Sequence, residues 1–209
     1  MYIRKSQCLY FKLFSIFIKT TKKTTKKTTN PSNNMSTATK NFPTLFTERL
    51  TLRQLSAADS SEIFRLRSDR EINKFLDRKP SQTTEDALNF IKAILESDDT
   101  FYWAITQTGE EKLIGTICLF DFVQDTSRCE IGYELLTEFQ GHGIMMEAAK
   151  KVIQYADETL GIRDVEAVTH KDNQGSVSLL KKLNFNYLGN HEAEHPDLVL
   201  FRLTIDQPQ

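Results

Sequence analysis

Gln140, Gly141, His142, Gly143, Ile144 and Met145 follow a strand-like run, Cys129 to Leu135, and open a helix. Glycines let the backbone turn through left-handed conformations, and the first turn of a helix leaves its N–H groups unpaired with the positive end of the dipole behind them. Such a junction holds a phosphate by main chain alone, without a lysine. Upstream on the strand, alternation puts Glu130, Gly132 and Glu134 on one face. A carboxylate there is a candidate general base, Glu130 first and Glu134 behind it, although the same pattern also describes a solvated polar face. Farther on, His191, Glu192 and His195 match H-E-x-x-H, which on a helix supplies two zinc ligands and a base. Gly189 and Asn190 before the motif and Pro196 after it leave barely one turn, so the segment reads as a hairpin loop. A zinc hydrolase is kept as a remote alternative, and no metal is expected. A dinucleotide-binding reading of the glycines fails, because Met146 stands where the third glycine belongs.

These groups need elements to position them. Met145, Ala148, Ala149, Val152, Ile153, Ala156 and Leu160 form one apolar stripe, which predicts a docked helix from Gly143 to Leu160, ending before Gly161. Ser56 with Asp59, and Thr83 with Asp86, resemble capping boxes for helices running to about Ser68 and about Glu96. Leu50–Gln54, Tyr102–Thr106, Leu113–Phe120 and Arg128–Leu135 have the β-branched and aromatic content of strands, the last three as an antiparallel meander. Val165–Thr169 is a further strand, Ser176–Leu183 a short helix, and Phe185–Leu188 with Leu198–Leu203 a closing pair. A parallel pairing of the strands on either side of the long helix needs a crossover, which that helix provides.

Gln140 to Met145 reads Q-x-x-G-x-M and resembles the coenzyme A pyrophosphate loop of the GCN5-related N-acetyltransferase (GNAT) family, Met145 departing from the usual Gly or Ala. Glu130 to Leu135 (EIGYEL) resembles the family's fourth strand. Asn173, Ser176, Leu180, Leu183 and Phe185 resemble its N-x-x-S…L-x-F segment, with Asn184 where Gly is usual. Thr47 to Leu55 (TERLTLRQL) resembles the opening of the ribosomal-protein-alanine acetyltransferase-like (RimJ/RimL-type) branch. The likeness spans roughly residues 45 to 205. It implies an α+β fold: a mixed, mostly antiparallel twisted sheet of six to seven strands flanked by about four helices, with a splayed parallel pair forming the coenzyme cleft.

The resemblance further implies transfer of an acetyl group from acetyl-CoA to a primary amine, directly within a ternary complex. An ammonium must lose a proton before it attacks, and the oxyanion and departing thiolate need stabilising. On the family pattern, Gln140, Gly141, His142, Gly143, Ile144 and Met145 cradle the pyrophosphate, and main-chain N–H groups near Leu135 and Leu136 meet the acetyl carbonyl and pantetheine. Asn173 and Ser176 lie beside the coenzyme, with helix capping as the alternative role of each. The family's usual acid, a Tyr in the last helix, falls at Leu180 here, leaving Ser176 as the nearest hydroxyl. An acyl-CoA-binding sensor without turnover is the alternative. The acceptor pocket is expected around the first two helices and the final hairpin, with Asp69, Glu71 and Phe75 as candidate lining residues, or merely exposed helix-end groups.

Composition divides the chain. Residues 1–40 carry nine Lys or Arg and no Asp or Glu, leaving residues 41–209 with 18 basic and 28 acidic side chains. The Thr-Thr-Lys-Lys repeats from Thr20 to Thr29 lack the apolar content to fold, so 1–40 reads as a disordered basic tail, or as leader upstream of a start at Met35. Cys8 to Ile18 is apolar but is broken by Lys12, lacks a cleavage site and is too short to span a bilayer. Three cysteines without CxxC spacing suit a reducing cytoplasm. The acidic body favours a cationic acceptor, a protein N-terminus or a small amine, rather than nucleic acid or membrane. A monomer or homodimer is expected.

Overall fold

The computed structural model of the chain describes residues 42–192 and 195–205. The basic tail and Met35 lie outside the described residues. A single eight-stranded sheet organises the described residues, in the order β1-β2-β3-β4-β5-β6-β8-β7. Its strands are β1 (Leu45–Phe46), β2 (Leu50–Gln54), β3 (Phe101–Gln107), β4 (Leu113–Val123), β5 (Arg128–Leu135), β6 (Asp164–His170), β7 (Asn186–Glu192) and β8 (His195–Thr204). The helices are α1 (Ser60–Ser68), α2 (Arg70–Asn73), α3 (Thr84–Leu95), α4 (Ile144–Glu158) and α5 (Gln174–Lys182). The sequence patterns locate four of the five helices and seven of the eight strands. Two-residue β1 and one-turn α2 are too short to carry a period; α2 forms because Asp69 accepts the N–H groups of Glu71 and Ile72.

Both boxes at the other N-termini are real. Ser56 and Asp59 close the turn that leads into α1, and Thr83 and Asp86 cap α3 reciprocally. At the end of α5, Asn184 adopts φ 64°, the left-handed position for which Asn is the best substitute for Gly.

Register assigns the two faces. Trp103 pairs with Ile117 and Ile117 with Tyr133, while Ala104 pairs with Thr116 and Thr116 with Glu134, so adjacent rows look to opposite sides. On one side Tyr155 of α4 packs edge-on against Phe101 and Trp103. On the other, Phe90 of α3 meets Tyr102 edge-on, and the Arg67 guanidinium of α1 lies 3.9 Å over the Phe90 ring. Trp103, Ile105, Ile117, Leu119 and Val152 are sealed from solvent on the first side and Ala104, Leu66 and Ile91 on the second, so the core runs along both faces.

One junction differs from all the others. β5 and β6 are the sheet's parallel neighbours, and their register covers only Arg128↔Asp164, Cys129↔Val165 and Glu130↔Glu166. Beyond Glu130, β5 stays paired with β4 as far as Leu135, and β6 stays paired with β8 as far as His170. The two strands therefore part, and their C-terminal halves form the walls of a cleft.

Candidate active site

The glycine loop from Gln140 to Gly143 stands at the open end of that cleft. Gly141 and Gly143 take φ 79° and φ 77°, conformations that L side chains rarely adopt. Gly143 is the N-cap of α4, and no side chain caps this helix. The first-turn N–H groups of Ile144 and Met145 thus stay available to an anion, while the side chains of both residues are buried beneath. The departure at Met145 puts a core side chain where the family pattern has a small residue. Gln140 turns inward instead, its Nε2 donating to the Leu135 carbonyl at 2.9 Å, and His142 is exposed with its carbonyl accepting Arg49 Nη1 at 3.2 Å.

A contact invisible to local patterning holds this loop. Glu147, in the first turn of α4, accepts Thr47 Oγ1 at 2.6 Å, Arg49 N at 2.9 Å and Arg49 Nε at 2.6 Å. Its carboxyl is kept below the usual range against the opposing pull of burial, by Thr47 and Arg49. The β1–β2 turn is thereby fastened to the helix N-terminus, with the Arg49 guanidinium close to Gly143. An open helix terminus, positive-φ glycines with free space above Gly141 and a neighbouring cation suit a pyrophosphate.

Hydrogen-bond alternation fixes which main-chain donors face the cleft. Leu136 N–H donates to Ile114 O at 3.0 Å, so Leu136 is spent on β4 and is corrected as a main-chain donor. In an antiparallel ladder the groups of Leu135 and Tyr133 then point the other way, toward the gap left by β6. Gln140 occupies the Leu135 carbonyl, which leaves N–H donors along that edge.

The carboxylates separate sharply. Glu134 is buried and bidentate with Arg78, Nη1 to Oε1 at 2.7 Å and Nη2 to Oε2 at 2.6 Å. Burial alone would raise its pKa, but Arg78 outweighs it and holds the carboxyl below the usual range. Arg78 is fixed in turn by Asn73, whose Oδ1 accepts its Nε at 2.6 Å. Glu130 shares the strand and the face but has no such partner. Burial, then Asp121 and Glu166, push its pKa up to about 8, against the pull of Arg128. Asp121 reaches this neighbourhood through a bulge between Phe120 and Val123, taking φ 52°.

Across the cleft, Asn173 caps α5, its Oδ1 accepting Ser176 N at 3.1 Å. Ser176 is thus free of capping duty, and its Oγ lies 2.9 Å from the Tyr133 hydroxyl. Tyr133, which sequence reasoning passed over, stands beyond the point where the strands part, and burial raises its pKa to about 12. Leu180 is sealed in the core. Of the acceptor-side candidates, Asp69 caps α2, Glu71 is exposed, and Phe75 stacks on His170 at the end of β6, centroids 5.2 Å apart. His191 lies in β7 and His195 opens β8, two antiparallel strands, so the helix that H-E-x-x-H requires is not formed. Among the described residues no group of three or more His, Cys, Asp or Glu is arranged to hold a metal ion. Cys118 and Cys129 are buried, the Cys118 thiol facing the Gly132 carbonyl, and no described helix is long and apolar enough to cross a membrane.

Comparison with known proteins gives this geometry its context. Residues 49–186 match the family model described as acetyltransferase (GNAT) domain. The uncharacterized N-acetyltransferase YoaA of Bacillus subtilis is 33% identical over 71% of this chain and 85% of its own length. The ribosomal protein uS5-alanine N-acetyltransferase of Escherichia coli is 28% identical over 49% of this chain and 53% of its own length. Among solved structures, a ribosomal-protein-S5-alanine acetyltransferase from Vibrio fischeri superposes with a TM-score of 0.67 at 21% identity, covering 79% of this chain and all of that one, a likeness of fold. With a family model covering the parted strands, the glycine loop and the crossover helix, the chain belongs to the GNAT acetyltransferase family, and it is an acetyltransferase.

Proposed function

We propose that the chain transfers an acetyl group from acetyl-CoA to the primary amine of a cationic acceptor, a protein N-terminus or a small amine, by direct attack within a ternary complex. The observation that carries this reading is that the cleft between the parted β5 and β6 has an uncapped helix N-terminus at its open end and, where the strands part, a carboxyl group of raised pKa. The loop from Gln140 to Met145 holds the pyrophosphate, and the N–H groups facing the gap from Tyr133 and Leu135 hold the pantetheine and the acetyl oxygen. Asn173 acts through Ser176 by setting the first turn of α5.

Glu130 takes the proton from the ammonium, directly or through a water. A base of pKa about 8 is matched to that task far better than Glu134, whose lone pairs are committed to Arg78. The amine nitrogen then bonds to the acetyl carbon; as the carbon–sulfur bond breaks, the nitrogen gives up its second proton to the Tyr133–Ser176 hydroxyl pair, which passes one on to the departing sulfur. No covalent enzyme intermediate is involved.

Two measurements on the full chain test this. Acetyl-CoA raises the unfolding temperature, since a ligand bound by the folded state alone stabilises it by RT ln(1 + [L]/Kd). Thiol release is then followed with acetyl-CoA and three acceptors: a peptide with a free N-terminal alanine, spermidine and an aminoglycoside. Absence of both stabilisation and thiol release overturns the reading; stabilisation with release from one acceptor class names the substrate.

A further inference from the structure

Glu130 and Glu166 are direct register partners across the parallel seam and share one face of the sheet. Arg128, two residues before Glu130 on the same strand and face, is the cation best placed to serve Glu130. Its Nη1 instead donates to both oxygens of Glu166, at 3.0 and 2.8 Å. Arg202 of β8, the register partner of Glu166 on its other side, donates Nε at 3.0 Å and Nη2 at 2.6 Å to Glu166 Oε1. Glu166 therefore collects two guanidinium groups from two strands. The charged groups bearing on Glu130 are Asp121 from the β4 bulge, Arg128 on its own strand, Glu166 on β6 and, by way of Glu166, Arg202 on β8. One cation tied to another acid, against two carboxylates, is a poor environment for ionised Glu130.

We propose that Glu166 is a positioning residue for the transfer: by drawing Arg128 and Arg202 onto itself it withholds a counter-ion from Glu130 and keeps that carboxyl a strong enough base to take a proton from an ammonium. This rests on the reading of Glu130 as the base. Removing the Glu166 charge frees Arg128 to turn toward Glu130 and removes a repulsion, and both effects favour the ionised form. Removing Arg128 does the opposite. A merely structural role would not produce shifts of opposite sign.

The test is the titration of Glu130 itself, followed by carbon-13 resonances in full-length protein labelled at the glutamate carboxyl carbon, the signal being assigned by its loss in Glu130→Gln. In Glu166→Gln the midpoint falls by about one pH unit or more, the size of effect expected of a nearby opposite charge. In Arg128→Gln it rises. A midpoint unmoved in Glu166→Gln, or moved downward in both variants, overturns the proposal. Should Glu166→Gln fail to fold, Arg128→Gln decides alone, a rise supporting the proposal and a fall or no change overturning it. The acid limb of thiol release with spermidine or the alanine peptide separates the two readings. A limb that survives Glu130→Gln removes Glu130 as base and the role of Glu166 with it. A limb lost in Glu130→Gln while the resonance midpoints stay fixed overturns Glu166 alone.

Discussion

The two ends of β5 carry the same side chain on the same face and give it opposite character. At the Glu134 end, a loop residue distant in sequence closes over the strand and supplies a bidentate guanidinium in a dry setting. At the Glu130 end, the strand's own arginine is drawn across the seam to Glu166, and two carboxylates face the group that remains. Residue type and periodicity are identical at the two positions, so the difference between the two carboxyl groups is set by where the arginines go.

The largest effect comes from breaking the Glu134 end. Arg78→Met leaves a buried carboxylate without its counter-ion, and denaturant unfolding should show a loss of about 3–5 kcal/mol. Adding Glu134→Leu to that variant restores much of the loss, because an apolar pair needs no desolvation. If Arg78→Met is silent, the contrast between the two ends is not one of ion pairing. Next, Glu130→Gln lowers kcat by about a hundredfold or more and abolishes the rise of activity with pH through about 8.

Stability against pH sharpens the contrast, since the two groups act in opposite windows. Glu134, depressed in the fold, stabilises the protein above its unfolded pKa of about 4.3 and loses that contribution as pH falls through its folded value. Glu130, raised in the fold, retains a proton that the unfolded chain has released, so stability falls as pH climbs from about 4.3 toward about 8. Thermal unfolding from pH 5 to 9 should therefore find that Glu130→Gln gains on the parent at the alkaline end. A parallel pair of curves would mean that Glu130 titrates normally. Smallest is the hydroxyl pair: Tyr133→Phe and Ser176→Ala each lower kcat by roughly tenfold, about the worth of one hydrogen bond to a developing charge. The double variant should be no worse than the poorer single one if the two act as a unit.

Much of this architecture was legible because it is local. The stripe from Met145 to Ala156, the boxes at Ser56 and Thr83, and the alternation through Arg128–Leu135 are short-range rules, and they recover the helices and strands that make the cleft. Where sequence reasoning stopped, the contact joins residues far apart in the chain. Arg78 meets Glu134, Thr47 and Arg49 meet Glu147, and Tyr133 meets Ser176, and nothing periodic announces any of them. Asn173 and Ser176 show the limit well. Both have the residue type and spacing of caps, and only in the fold does Asn173 take the capping so that Ser176 turns its hydroxyl to Tyr133. Leu136 is the converse case, a residue in the right segment whose donor points to the wrong side of the strand.

The short seam between β5 and β6 has a mechanical consequence. With three register pairs joining them, the sheet is two leaves, β1 to β5 and β6 to β8, sewn along one short edge. Every other seam in the interior of the sheet is longer, so the backbone bonds at Arg128, Cys129 and Glu130 form the narrowest ligature between the leaves. A coenzyme lying between the leaves would act as the missing rungs of that ladder, and occupancy would be felt as stiffness across the whole sheet, far from the reacting atoms.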